Sequence, residues 1–142
     1  MTEVGASLVD TDAFSILFIR RDSDDPRASG WRNFLTGRRV LISFQTRAEV
    51  LSGIRIAGWG AQRQATIIEI LDRTPTIRSD DEVIAAYARL TADCRSVGHA
   101  LHNKEHTGDR WVAACAIAKG LNLVAGDAIY RNAPELELAA SG

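Results

Sequence analysis

The sequence predicts an α/β fold, a mainly parallel sheet of four to five strands covered by helices on both faces. Two observations carry this. Short apolar runs at 5–9, 40–43 and 121–125 read as buried strands, and stretches with helical spacing of apolar residues, bounded by caps and breakers, alternate with them.

Gly5 to Val9 is the first strand, ending at Asp10, and Phe14, Leu17 and Phe18 place a helix over Ala13 to Ile19. Arg20 to Gly30 is rich in Asp, Ser, Pro and Gly and reads as a loop leading into a short amphipathic segment around Trp31, Phe34 and Leu35. Val40 to Ser43 is the second strand. From Phe44, the positions Ala48, Leu51, Ile54 and Ala57 recur at helical spacing, Gly58 and Gly60 interrupt, a further helix runs from Ala61 to Leu71, and Pro75 closes the unit. Ser79 with Glu82 three residues on forms a capping box ahead of the Val83, Tyr87, Leu90, Cys94, Val97 stripe. Gly98 to Gly108 is a polar loop. Asp109 to Lys119 is a helix with Trp111, Ala114, Cys115 and Ala118 on one face, and Gly120 is placed to end it. Leu121 to Ala125 is the third strand, Leu136 to Leu138 a last short one, and 139–142 a frayed tail.

The 142 residues, 46% of them apolar, fit a single domain over 1–142. With 17 basic residues against 18 acidic ones, attraction to nucleic acid has to come from local patches rather than the overall field. Fifteen of the 17 basic residues are Arg, the side chain better shaped for bidentate phosphate contacts, although GC-rich codon usage is the favoured explanation of such a bias. Cys94 and Cys115 lack the spacing of a zinc site or disulfide framework and read as buried thiols. No basic segment precedes a long apolar run and no 18 consecutive apolar residues occur, so the expectation is a soluble cytoplasmic protein with no membrane partner.

In parallel sheets ligands gather at the carboxyl ends of strands, and four acids fall near such ends: Asp10, Glu49, Asp109 and Asp127. Each has a plainer explanation. Asp10 and Asp127 could be helix N-caps, Glu49 the last member of a Thr46–Glu49 capping box, and Asp109 a complement to a helix dipole. Converging carboxylates repel one another and stay ionised only around a cation, and an all-oxygen donor set suits Mg²⁺ or Mn²⁺ shared with phosphate. Phosphoester hydrolysis is then the leading reaction class.

The stretches Leu8 to Thr11, Thr46 to Gly53, Thr107 to Ala114 and Gly120 to Asp127 resemble PIN-domain proteins, in particular the VapC ribonuclease toxins of bacterial toxin–antitoxin pairs. The most specific part is Asp109 to Asp127: an aspartate opening an Ala-rich helix, then Gly, an apolar strand and a second aspartate. The resemblance implies a three-layer α/β/α sandwich and an Mg²⁺- or Mn²⁺-dependent endoribonuclease whose four acids correspond to Asp10, Glu49, Asp109 and Asp127. It also implies a homodimer neutralised by a cognate VapB-type antitoxin, which arrests growth by cutting tRNA, rRNA or mRNA when freed. Asp12 stands where that family more usually has Asn or Ser, adding a fifth carboxylate or a cap, and Ala125 where it often has Thr or Ser.

The expected division of labour has Asp10, Asp109 and Asp127 holding the metal and Glu49 orienting or deprotonating the attacking water. Thr11 would support Asp10, and Arg110 would contact phosphate or balance the acids. Arg20–Arg21 and Arg38–Arg39 read first as solvated surface and could otherwise flank an RNA groove, and Trp31 and Trp59 read first as partly buried and could otherwise mark antitoxin or dimer contacts. His99, His102 and His106 lack zinc-site spacing and read as exposed loop residues, one of which could touch RNA beside Asp109. Rivals are a haloacid-dehalogenase-like phosphatase, for which Asp10-Thr11-Asp12 mimics the nucleophile motif, a signalling receiver using Asp10 and Asp12, and a PIN domain that binds partner or RNA without cutting. The first two lack the later Lys that their chemistry requires.

Overall fold

The computed structural model describes residues 5–20 and 24–139. Four parallel strands, β1 (Ala6–Val9), β2 (Arg39–Ser43), β3 (Thr76–Ile77) and β4 (Asn122–Val124), form one sheet in the order β3-β2-β1-β4. Leu8 pairs with Leu41 on one side and with Leu123 on the other, which makes β1 an interior strand and β4 an edge.

Helices cover both faces. On one lie α5 (Asp81–Val97) and α6 (Thr107–Lys119), whose Val83, Leu90, Cys94, Val112 and Cys115 pack with Leu8 and Leu123. On the other lie α1 (Thr11–Phe14), α2 (Arg27–Leu35), α3 (Phe44–Ile56) and α4 (Ala61–Arg73), whose Phe14, Trp31, Val50, Ile54, Ile67 and Leu71 pack with Val9, Ile42 and Val124. Alternation along β1 and β4 divides the two cores, since successive side chains leave opposite faces of a strand. Burying each such Leu or Val contributes about 1.5–3 kcal/mol, enough in sum to hold strands this short in a sheet.

The α/β class and the alternation of strand and helix are as expected, while several local assignments are corrected. The first helix begins at Thr11 and passes into a π-turn over Ser15–Ile19, because Asp10 rather than a later residue accepts the free N–H of Ala13. The expected loop 20–30 already contains the start of α2 at Arg27. Ser43, not Thr46, caps α3 by accepting from the Thr46 N–H, which puts Glu49 beyond the first turn and ends the capping-box explanation for it. The buried positions of α3 are Thr46, Val50 and Ile54, and Ala48 is exposed. Asp80, not Ser79, caps α5 through the Val83 N–H, and Val97 at the far end of that stripe is exposed.

The fourth strand is Thr76–Ile77 beside β2; Leu136 to Leu138 contributes only one parallel bridge, Leu138 to Leu123. Two 3₁₀ turns, Ala100–His102 and Lys104–His106, occupy the loop before α6. That helix is buried almost all round, from Val112 to Ala116, because small side chains let it sit between the sheet and α5. Gly98 and Gly120 end α5 and α6 at φ 74° and 64°, the left-handed conformation glycine adopts without strain. Cys94 and Cys115 are buried free thiols, and burial pushes Cys115 up to about 12. No described helix is long and apolar enough to cross a membrane. The expected tail falls largely outside the described residues, although Ala139 still donates to the Leu123 carbonyl.

Candidate active site

The carboxyl edge of the sheet collects the predicted acids from four elements. Asp10 leaves the end of β1 and caps α1, Asp127 follows β4 and caps the 3₁₀ turn Ala128–Tyr130, and Glu49 and Asp109 are carried in by α3 and by the first turn of α6. For Asp10 and Asp127 the cap and the site are therefore one residue. A carboxylate anchored to backbone N–H groups is held in a fixed orientation.

Asp10 is 2% exposed. Its Oδ1 accepts from the Ala13 N–H at 2.8 Å and its Oδ2 from the Gly126 N–H at 3.0 Å. Burial raises its pKa to about 6, partly offset by those N–H donors and reinforced by the neighbouring charge of Asp12.

Glu49 Oε2 accepts from the Thr11 hydroxyl at 3.0 Å, and that hydroxyl also lies 3.0 Å from Thr46 Oγ1, itself bonded to Ser43. Thr11 thus supports Glu49 and not the expected Asp10, because the first turn of α1 faces α3. Glu49 also reaches the start of α6: a Cβ on Gly108 would lie 3.3 Å from Glu49 Oε1 and 2.9 Å from Gln45 Nε2.

Asp109 Oδ2 lies 2.9 Å from His106 Nδ1, and its Oδ1 accepts from the Tyr130 hydroxyl at 3.3 Å. Burial, followed by the charges of Asp109 and Asp10 and, more weakly, Glu49, drives the Tyr130 phenol well above its ordinary value, so it stays a neutral donor. Asp109 bonds this buried hydroxyl directly, while Asp10 and Glu49 act on it through their charges. Asp127 stands at the rim, exposed, its carboxylate turned to the Ile129 N–H at 3.0 Å.

Among the described residues no three His, Cys, Asp or Glu side chains stand close enough together to hold a metal as placed. The donor chemistry nevertheless fits a hard divalent cation. It is all carboxylate, Asp10 is buried against its own ionisation, and among the described residues neither Asp10, Glu49 nor Asp127 has a cationic ion-pair partner.

Asp12 is the exception, since Arg20 and Arg27 lie 3.6 and 3.7 Å from it. It belongs to the interior of α1 and is not a cap. It also packs on Gly126, where an added Cβ would come within 2.2 Å of Asp12 Oδ2. An added methyl there would require the Asp12 carboxylate to shift.

Arg110 takes neither expected role. It is 6% exposed and turned away from the acids, donating to the carbonyls of Leu101 and Asn103 and to the Tyr87 hydroxyl, so it ties the loop before α6 to α5. Arg38 donates to Ser7 Oγ and the Ala6 carbonyl at the opposite, amino edge of the sheet, and cannot flank a groove at the acids. Arg21 lies outside the described residues. His106 is half-buried against Asp109 rather than exposed, and His99 Nε2 bonds the Arg131 carbonyl at 2.7 Å.

Sequence reasoning missed Tyr130 and Arg27. Arg27 makes a two-pronged contact with Asp25, donates to the Gly126 carbonyl at 2.7 Å and lies over the Trp31 ring at 5.0 Å. Tyr130 lies three positions after Asp127, yet nothing in that spacing marks a 3₁₀ turn that folds the ring inward.

A family profile described as PIN domain matches residues 7–136. No curated protein is significantly similar in sequence. Solved structures similar to this chain include VapBC2 from Rickettsia felis bound to a fragment of promoter DNA, at 20% identity, with 94% of this chain and 97% of that one covered and a TM-score of 0.74. FitAcB from Neisseria gonorrhoeae shows 20% identity over 94% and 96%, with a TM-score of 0.73. VapBC-5 from Mycobacterium tuberculosis, a member of the VapBC family of toxin–antitoxin systems, shows 21% identity over 94% and 97%, with a TM-score of 0.66. At these identities the likeness establishes the fold.

Proposed function

This chain belongs to the PIN-domain family, and on that premise we propose that it is an Mg²⁺- or Mn²⁺-dependent endoribonuclease acting as the toxin of a toxin–antitoxin pair. The observation that supports the reading is the set of hydrogen bonds tying the acids to the carboxyl edge of the sheet: Asp10 to the Gly126 N–H after β4, Glu49 to Thr11 after β1 and Asp109 to Tyr130 after β4, with Asp127 at the rim.

Asp10, Asp109 and Asp127 are the residues that would hold the cation. When bound, that ion supplies positive charge beside the scissile phosphate and makes nearby water more acidic. Glu49, oriented by Thr11, is the group that takes a proton from the attacking water. The Ala13 and Gly126 N–H groups fix the Asp10 carboxylate, and Tyr130 and His106 fix that of Asp109, so neither has to reorganise as substrate binds.

The proposed partner is a VapB-type antitoxin, and the proposed working state a cytoplasmic homodimer held inactive by it. Support comes from similar structures that are toxin–antitoxin complexes. The test is cleavage of structured RNAs by the purified protein with Mg²⁺ or Mn²⁺, with EDTA and an Asp10→Asn variant as controls. Cutting lost in both controls is the expected result; cutting retained by Asp10→Asn refutes the assignment.

A further inference from the structure

We propose that the cavity beside Asp127 is the subsite for the nucleotide adjoining the scissile phosphate of an RNA chain, an inference that rests on the nuclease reading. The cavity measures about 680 Å³ and is walled by Arg27, Ser29, Trp31, Asn33, Asp127 and Arg131. That volume lies within the range of about 300–1,000 Å³ typical of small-molecule sites. Asp127 belongs to both the cavity and the acidic edge, so a nucleotide seated here places its phosphate at the acids.

The charges are arranged for such a ligand. The catalytic edge is crowded with carboxylates and by itself repels a polyanion, and Arg27 and Arg131 place two cations in the adjoining wall. They are not equivalent. The Arg27 guanidinium is engaged by Asp25, Gly126 and Trp31, whereas that of Arg131 has no hydrogen bond or ion pair among the described residues and is free to meet phosphate.

The side chains of Ser29 and Asn33 are likewise without partners among the described residues, and an amide beside a hydroxyl offers both donors and acceptors to a base edge. Trp31 is 6% exposed with Arg27 over one face, so it forms a rigid wall and no stacking platform. Recognition here is by hydrogen bonds and charge. Such a site selects among bases more than a stacking surface does, since every base presents a π-face.

The test uses the full chain carrying Asp10→Asn, so that RNA is bound without being cut, and a labelled single-stranded RNA of randomised sequence read by fluorescence anisotropy. Arg131→Ala is expected to weaken binding about tenfold, the scale of one charge-assisted contact. It should also flatten the plot of log K against log salt by about 0.7, the release expected from one phosphate contact on a single strand. Arg95→Ala, an exposed change on α5, should alter neither.

In the cleavage-competent protein, Asn33→Ala is expected to change the base preference next to the cut. Binding and salt slope unchanged in Arg131→Ala, together with unaltered base preference in Asn33→Ala, would overturn the subsite while metal-dependent cleavage left the nuclease reading standing. Mononucleotides competing as strongly as the RNA would overturn it in favour of a free-nucleotide site. Neither cleavage nor binding of RNA by the parent protein would overturn both readings.

Discussion

Asp10 and Asp127 occupy corresponding places at two neighbouring strand ends: each follows a short apolar strand and caps the turn after it, yet their surroundings are opposite. Asp10 ends β1, which has β2 on one side and β4 on the other, so it is buried and both its oxygens meet backbone N–H groups. Asp127 ends β4, the edge of the sheet, and is exposed with one N–H partner. The same local motif therefore yields a desolvated carboxylate and a solvated one. An acid's electrostatics follow from where its strand sits in the sheet.

The largest expected consequence is on catalysis. Loss of groups that merely support a metal ligand typically costs 10–100-fold, so Asp10→Asn, which removes a proposed ligand itself, should lower RNA cleavage by about 10³-fold or more in steady-state assays. Asp127→Asn removes another proposed ligand and should also lower cleavage, by more than about 10-fold; unchanged cleavage would remove Asp127 from the site.

Stability of the metal-free protein should move the other way. Asp10 has its pKa raised from 3.8 to about 6, so between those values the folded state binds more protons than the unfolded one, and stability falls as pH rises through that window. At about 1.36 kcal/mol per pKa unit the penalty reaches about 3 kcal/mol above pH 6. Asp10→Asn removes this pH-dependent penalty, although its amide NH2 leaves one of the two backbone N–H groups without an acceptor at every pH. Urea unfolding in EDTA should show the stability of the variant relative to the parent rising from pH 4 to pH 8; a difference that does not change with pH would contradict the burial argument.

Gly126 joins the two strand ends, since its N–H serves Asp10 and its carbonyl serves Arg27. Gly126→Ala forces a Cβ to within 2.2 Å of Asp12 Oδ2 and should destabilise the fold by about 1–3 kcal/mol in thermal or urea unfolding. A neutral result would mean that Asp12 swings aside without cost. The smallest effect belongs to Asp127→Asn, which retains a capping oxygen at an exposed site and should change unfolding free energy by less than about 0.5 kcal/mol.

Much of the scaffold was legible because it follows from local periodicity: the three apolar strands, the α5 stripe and the glycine-terminated Ala-rich helix α6 all lie close to where apolar spacing puts them. The capping misses share one cause. Ser43 and Asp80 competed with neighbouring Thr46 and Ser79 for the capping role, and which short polar side chain wins depends on where the preceding segment stops. Thr76–Ile77 became a strand through its pairing with Ile42 and Ser43, a partner distant in sequence, and two residues carry no period of their own.

The sequence by itself determined the α/β class, the order of elements and the arrival of four acids at the ends of strands and helices, because each is written in residue spacing and short-range capping chemistry. Only the tertiary structure decided that β1 lies inside the sheet and β4 at its edge, that Tyr130 and His106 turn towards Asp109 while Arg110 turns away, and that Arg27 and Arg131 wall one cavity. Those outcomes depend on strand order and on contacts between distant segments, where burial and electrostatics are set by neighbours that no local pattern names.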